Sequence, residues 1–68
     1  MRKIDYEAYV RNLRQVREET DLYPPSLVAT ELIHINGLVK TYPNFNKALF
    51  IKELNKNSPI YSELYSVI

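Results

Sequence analysis

Ser26-Leu-Val-Ala-Thr-Glu31-Leu-Ile-His-Ile-Asn36-Gly37-Leu-Val-Lys-Thr41 is the stretch on which the fold turns. Asn36-Gly37 between two apolar runs is a strong short-range hairpin signal. Strand alternation fails, however: Ile33 and Ile35 would share one face while Leu38 and Val39 split across both. On a helical wheel Leu27, Val28, Leu32, Ile35, Leu38, Val39 and Tyr42 fall within a roughly 140° arc, with Thr30, His34, Lys40 and Thr41 outside it. The helix accounts for more residues. It is expected from about Pro25 or Ser26 to about Thr41, with Gly37 as its weakest point.

The prolines around this stretch punctuate the rest. Pro24-Pro25, Pro43 and Pro59 sit where helical patterns start or stop, since proline suits the first turn of a helix but not its interior. Upstream, a helix from about Asp5 to Thr20 takes Asp5 as N-cap, with Glu7 in its first turn. Its apolar stripe is Tyr6, Tyr9, Val10, Leu13 and Val16. Glu7/Arg11 and Arg14/Glu18 form i,i+4 pairs of opposite charge beside that stripe, which reads as a solvated, internally neutralised face.

Downstream, Asn44 is the natural N-cap of a third helix from Phe45 to about Asn55. Phe50, Ile51 and Leu54 lie on one side of it, and Phe45 and Leu49 on the other, the pattern of a sandwiched helix. Ser58-Pro59 opens a short fourth helix. There Ile60, Tyr61, Leu64, Tyr65, Val67 and Ile68 crowd one broad side and leave Ser62, Glu63 and Ser66 to water. The expected fold is all-α: one small four-helix domain over residues 1–68, a hairpin of the first two helices with a third packed across it and a short fourth closing one side.

Two charges interrupt the apolar stripes. Arg17 falls within that of the first helix and Glu31 within that of the second, each about one turn from the Pro-Pro joint. In an antiparallel hairpin they face each other, and the sequence leaves two readings open: an interhelical ion pair, or both side chains reaching to water at the rim. Such a pair fixes registry more than it adds stability.

Composition narrows the function classes. Sixty-eight residues hold one domain of modest burial, usually in need of a staple. Cysteine is absent and histidine occurs once, so disulfides and ordinary zinc sites are out, leaving association with another chain. No cofactor is expected. A net charge of +1 lacks the polyelectrolyte character of a dedicated DNA binder or a DNA mimic. No apolar run reaches membrane-spanning length and the first residues turn polar at once, so a cytoplasmic protein without signal peptide or membrane partner is expected. The abundance of Ile, Asn, Lys and Tyr suits an AT-rich bacterial or phage genome.

Catalysis finds little support. His34 lies on the outer side of the second helix without an orienting partner, and its i+3 spacing from Glu31 is common on helices. Serines 26 and 58 suit caps, Ser62 and Ser66 a polar face, and the one glycine cannot build a phosphate loop. No small-molecule substrate is evident and no enzyme is expected.

Six tyrosines are the more telling enrichment, because Tyr and Phe combine apolar area with a hydrogen-bonding tip at protein interfaces. The third and fourth helices carry more apolar surface than so short a chain can cover. Phe45, Leu49, Tyr61, Leu64, Tyr65 and Ile68 are therefore the expected partner-binding residues of a small interaction protein, an adaptor, regulator or inhibitor. Its partner would be a second copy, a larger protein, or both. The competing class is a small nucleic-acid-binding regulator of helix-turn-helix type, using Arg11, Arg14, Lys47, Lys52 and Lys56. The segment after Gly37 is too long and too apolar for the usual joint of that motif.

Overall fold

Asp5 caps the first helix as its residue type predicts, its carboxylate accepting the Ala8 N–H at 3.1 Å. The computed structural model describes residues 5–67, so Ile68 lies outside the described residues. These residues form four helices and no strand: α1 (Tyr6–Glu19), α2 (Pro24–Thr41), α3 (Lys47–Leu54) and α4 (Pro59–Ser66). The all-α architecture is thus as expected.

The helix, not the hairpin, occupies the Asn36-Gly37 region, and α2 runs through Gly37 without a break. Its start lies slightly earlier than expected. Pro24 and Pro25 fill the first helical positions, where no N–H is required, and the first backbone bond runs from Leu27 N–H to the Tyr23 carbonyl at 3.0 Å. Ser26 is therefore inside the helix rather than its cap, and its carbonyl accepts the Thr30 hydroxyl. Gly37 has an ordinary negative φ, and a Cβ built on it would meet nothing within 4 Å. Gly37→Ala is accordingly expected to stabilise the protein by about 0.5–1 kcal/mol, read as a higher denaturant midpoint, because only the conformational freedom of the unfolded chain changes.

The third helix begins two residues later than its sequence predicts, with Asn46 rather than Asn44 as N-cap: the Asn46 side chain accepts the Leu49 N–H at 3.0 Å. The cause lies on α1. The Tyr6 hydroxyl accepts the Asn46 backbone N–H at 2.7 Å, and the Phe45 ring stacks on Tyr6 at 5.4 Å and meets Phe50 at 5.2 Å. A turn through Pro43-Asn44, closed by the Phe45 N–H donating to the Tyr42 carbonyl at 3.0 Å, places Phe45 in this cluster before the extended Asn46 cap. The side chain that made α3 look apolar on two sides thus precedes the helix, and Leu49 alone remains on that flank, 44% exposed.

The buried apolar residues are Val10, Leu27, Val28, Ile35, Leu38, Phe50 and Leu54; all but Leu27 and Val28 form one cluster, with Tyr6, Tyr9, Leu13, Tyr42, Phe45, Ile51 and Tyr65 packed around it. Val16, at one edge of the α1 stripe, is 48% exposed, whereas Arg17, toward the Val10 edge, has its side chain only 5% exposed. Helices α1 and α2 run antiparallel about the Pro-Pro joint, as the Tyr9–His34 and Arg17–Glu31 contacts require. Their seam combines the aliphatic contact of Val10 with Ile35 and Leu38 with the Arg17–Glu31 pair and the Tyr9–His34 ring contact. The closest helix–helix approaches are instead α1 with α3, and α2 with α4.

Candidate interaction surface

One buried polar cluster holds the four helices together and decides which apolar side chains are left outside. Of the two readings of Arg17 and Glu31, the ion pair is the one present, bidentate and almost fully enclosed: Nε and Nη2 of Arg17 donate to the two Glu31 oxygens at 2.7 and 2.8 Å. Their side chains are 5% and 2% exposed. Two buried charges persist at such a site only when their remaining donors and acceptors are also engaged. Here they are. Arg17 also donates to the Asn55 side-chain oxygen at 2.7 Å and to the Leu54 carbonyl at 3.3 Å, and its guanidinium lies 3.9 Å from the Tyr61 ring centroid. Glu31 accepts a further bond from the Tyr65 hydroxyl at 2.7 Å.

The cluster also closes the C-terminal end of α3. Arg14 donates to the Leu54 and Glu53 carbonyls beside Arg17, so two cations sit where a helix presents unpaired carbonyls and the negative end of its dipole. Tyr6 meets the other end of α3, so α1 grips that short helix at both termini. Burial, and then the bond to Glu31 and its charge, raise the Tyr65 hydroxyl well above the ordinary value of 10.0.

Helix α4 is docked by these contacts through Tyr61 and Tyr65, one turn apart. The Ser58 hydroxyl makes no capping bond to the helix, contrary to the expectation for Ser58-Pro59. Instead the Ser58 and Ser62 positions are tied to the Asn55 carbonyl, through the Ser58 N–H at 3.0 Å and the Ser62 hydroxyl at 3.2 Å. The broad apolar side of α4 is thereby divided. Tyr61 and Tyr65 turn inward. Ile60 and Val67 remain 63% and 81% exposed, flanking the half-buried Leu64. On an ideal wheel Ile60 and Leu64 lie about 40° apart on the outer flank of α4, and Val67, the C-cap residue just past its last turn, extends the apolar ridge.

The six expected partner-binding residues therefore part company. Tyr61, Tyr65 and Phe45 serve the fold through Arg17, Glu31 and Tyr6. Leu49 sits at the mouth of a shallow groove between α1 and α3, and Leu64 belongs to the ridge, while Ile68 lies outside the described residues. Ile60 and Val67 were hidden in the same broad arc as the tyrosines. The separating signal was chemical: two tyrosines at i,i+4 can supply a hydroxyl and a ring face to a buried ion pair, which Ile and Val cannot.

Several basic residues of the competing class are already engaged within the protein. Arg14 is engaged by α3 carbonyls, and the Lys47 ammonium donates to the Asn36 side chain at 3.2 Å. Arg11 stands among Glu7, Glu18 and Glu19. Lys52 and Lys56 share a groove between α3 and α4, Arg14 and Lys56 line the groove between α1 and α3, and Arg11 and Arg14 stand together along α1. Among the described residues no three His, Cys, Asp or Glu side chains gather as a metal site, and no helix is long and apolar enough to cross a membrane. No protein-family model, curated protein or solved structure matches this chain.

Proposed function

We propose that the protein is a non-catalytic interaction module, an adaptor, regulator or inhibitor that acts by covering a surface of a larger protein with the outer flank of α4. The observation that carries this reading is the Ile60–Leu64–Val67 ridge, two of whose members are more than 60% exposed although α4 is docked through Tyr61 and Tyr65. A fixed backbone lowers the conformational cost of binding, and an apolar ridge on a docked helix is the shape that helix-in-groove recognition uses. The buried carboxylate supports the same view. Glu31 has both oxygens bonded within the protein and is 2% exposed, an arrangement suited to holding helices and not to moving protons to a substrate.

A photo-crosslinking side chain at position 67, in extract of the native cell, is expected to give one discrete adduct that Ile60→Glu abolishes. The same group at position 33, where Ile33 is 75% exposed on the outer face of α2, is the control and is expected to give none. Equal adducts from positions 67 and 33, or an adduct indifferent to Ile60→Glu, would remove the ridge as the binding element.

A further inference from the structure

A second surface, away from the ridge, combines charge with apolar area in a way the protomer leaves unanswered. The groove between α3 and α4 has Ile51 and Tyr65 in its floor and Lys52 and Lys56 along one rim. Its opposite wall carries Ser62 and Ser66, whose hydroxyls already donate to the Asn55 and Glu63 carbonyls. The groove therefore offers apolar floor and positive rim, with little unmet demand for donors on the serine side.

The α1–α2 corner has the complementary character. Glu18, Glu19 and Asp21 are exposed there, followed by Leu22 at 53% and Tyr23 at 80% exposure. The corner is also preorganised. The Leu22 N–H is held by the Thr20 hydroxyl oxygen at 3.2 Å, and Tyr23, preceding Pro24, is extended with φ −63° and ψ 144°. A structured knob gives up little freedom on docking. No residue of the corner lines the groove of its own chain. Among the described residues the one ion pair is Arg17–Glu31, so no salt bridge among them ties down Asp21, Lys52 or Lys56, whereas Glu19 accepts from the Gln15 side chain at 3.2 Å and Glu18 and Glu19 share a surface with Arg11 and Arg14.

We propose that the α1–α2 corner of one molecule seats in the α3–α4 groove of a second copy of this chain, Leu22 and Tyr23 on Ile51 and Tyr65, with Glu18, Glu19 and Asp21 against Lys52 and Lys56. Corner and groove differ, so a pair of molecules closes the contact by exchanging both corners across a two-fold axis, an isologous arrangement in which each corner meets the other molecule's groove. Self-association of this kind presents two α4 ridges at once, which multiplies the hold on any partner that carries two sites.

Charge reversal tests the pairing directly. Two variants are compared with wild type by sedimentation velocity at low and high salt. One carries Lys52→Glu and Lys56→Glu, the other Glu19→Lys and Asp21→Lys. All four positions are exposed, and helical circular dichroism is expected to be unchanged. Wild type is expected to associate above its 8.0 kDa protomer mass, less so at high salt. Each variant alone is expected to lose association, since like charges then meet, and an equimolar mixture of the two is expected to regain it. A wild type that stays monomeric at millimolar concentration and low salt overturns the proposal, as does a mixture that fails to recover association. Association retained by both separate variants overturns the corner-in-groove contact while leaving the α4 ridge untouched, because the ridge shares no residue with either surface.

Discussion

Glu31→Ala is expected to unfold most of the protein near room temperature. The substitution strands the Arg17 guanidinium in a site where it is 5% exposed, and removes the acceptor of the Tyr65 hydroxyl. Breaking one side of a buried ion pair costs about 3–5 kcal/mol. A domain of this length has roughly 3–10 kcal/mol in all. The attribution to pairing, rather than to lost packing alone, is tested by a double-mutant cycle. Arg17→Met, itself costly because the Asn55 side-chain oxygen loses its Arg17 donor and the Leu54 carbonyl keeps only Arg14, is combined with Glu31→Leu. The two losses are expected to fall short of additivity by about 2 kcal/mol, measured from urea midpoints; additive losses would remove the coupling. The same cluster sets an alkaline limit. The Tyr65 hydroxyl ionises later in the folded than in the unfolded chain, so the stability it contributes is complete below pH 10.0 and lost as pH rises through the higher folded value. Tyr65→Phe is expected to lower stability at neutral pH and to make the decline above pH 10.0 shallower.

How far this cluster is legible in the sequence differs residue by residue. Arg17 and Glu31 can be set opposite each other from helical angles alone, because a short joint makes positions equidistant from it face each other. Their third and fourth partners cannot. Asn55 and Tyr65 reach the pair from 38 and 34 residues away, through the docking of α3 and α4, and no periodicity encodes that docking. The same limit governs the cap of α3. Asn44 and Asn46 are chemically equal to the task, and a hydroxyl on α1 chooses between them. On α4 a broad apolar arc says that one side is buried but not which half. The buried charges decide, drawing in the tyrosines and leaving Ile60 and Val67 to solvent. Periodicity thus reveals faces, whereas the chemistry of unmet polar groups selects which residues of a face turn inward, and so which remain to bind.

Phe50→Ala is the second substitution expected to bring the domain to the edge of unfolding, and it tests the core rather than the polar cluster. Phe50 is 0% exposed, with the Tyr6 and Phe45 rings centred 6.1 and 5.2 Å away. Truncating such a side chain costs about 3–5 kcal/mol, the lost transfer energy plus a cavity that a small fold cannot fully collapse. Here the loss propagates. Tyr6 braces the N-terminus of α3 by accepting the Asn46 N–H, so a loosened Tyr6 ring also weakens the grip of α1 on that helix. Phe50→Leu, which keeps most of the volume, is expected to fall between alanine and wild type. Val16→Ala supplies the contrast: an apolar residue on the same expected stripe as Val10, yet 48% exposed, and expected to change stability by no more than about 0.5 kcal/mol. Equal losses from Phe50→Ala and Val16→Ala, by urea denaturation, would mean that α1 turns a different face inward. That rotation would take Arg17 out of the interior and Tyr6 off the start of α3, and the division of α4 into inward tyrosines and outward ridge would go with them.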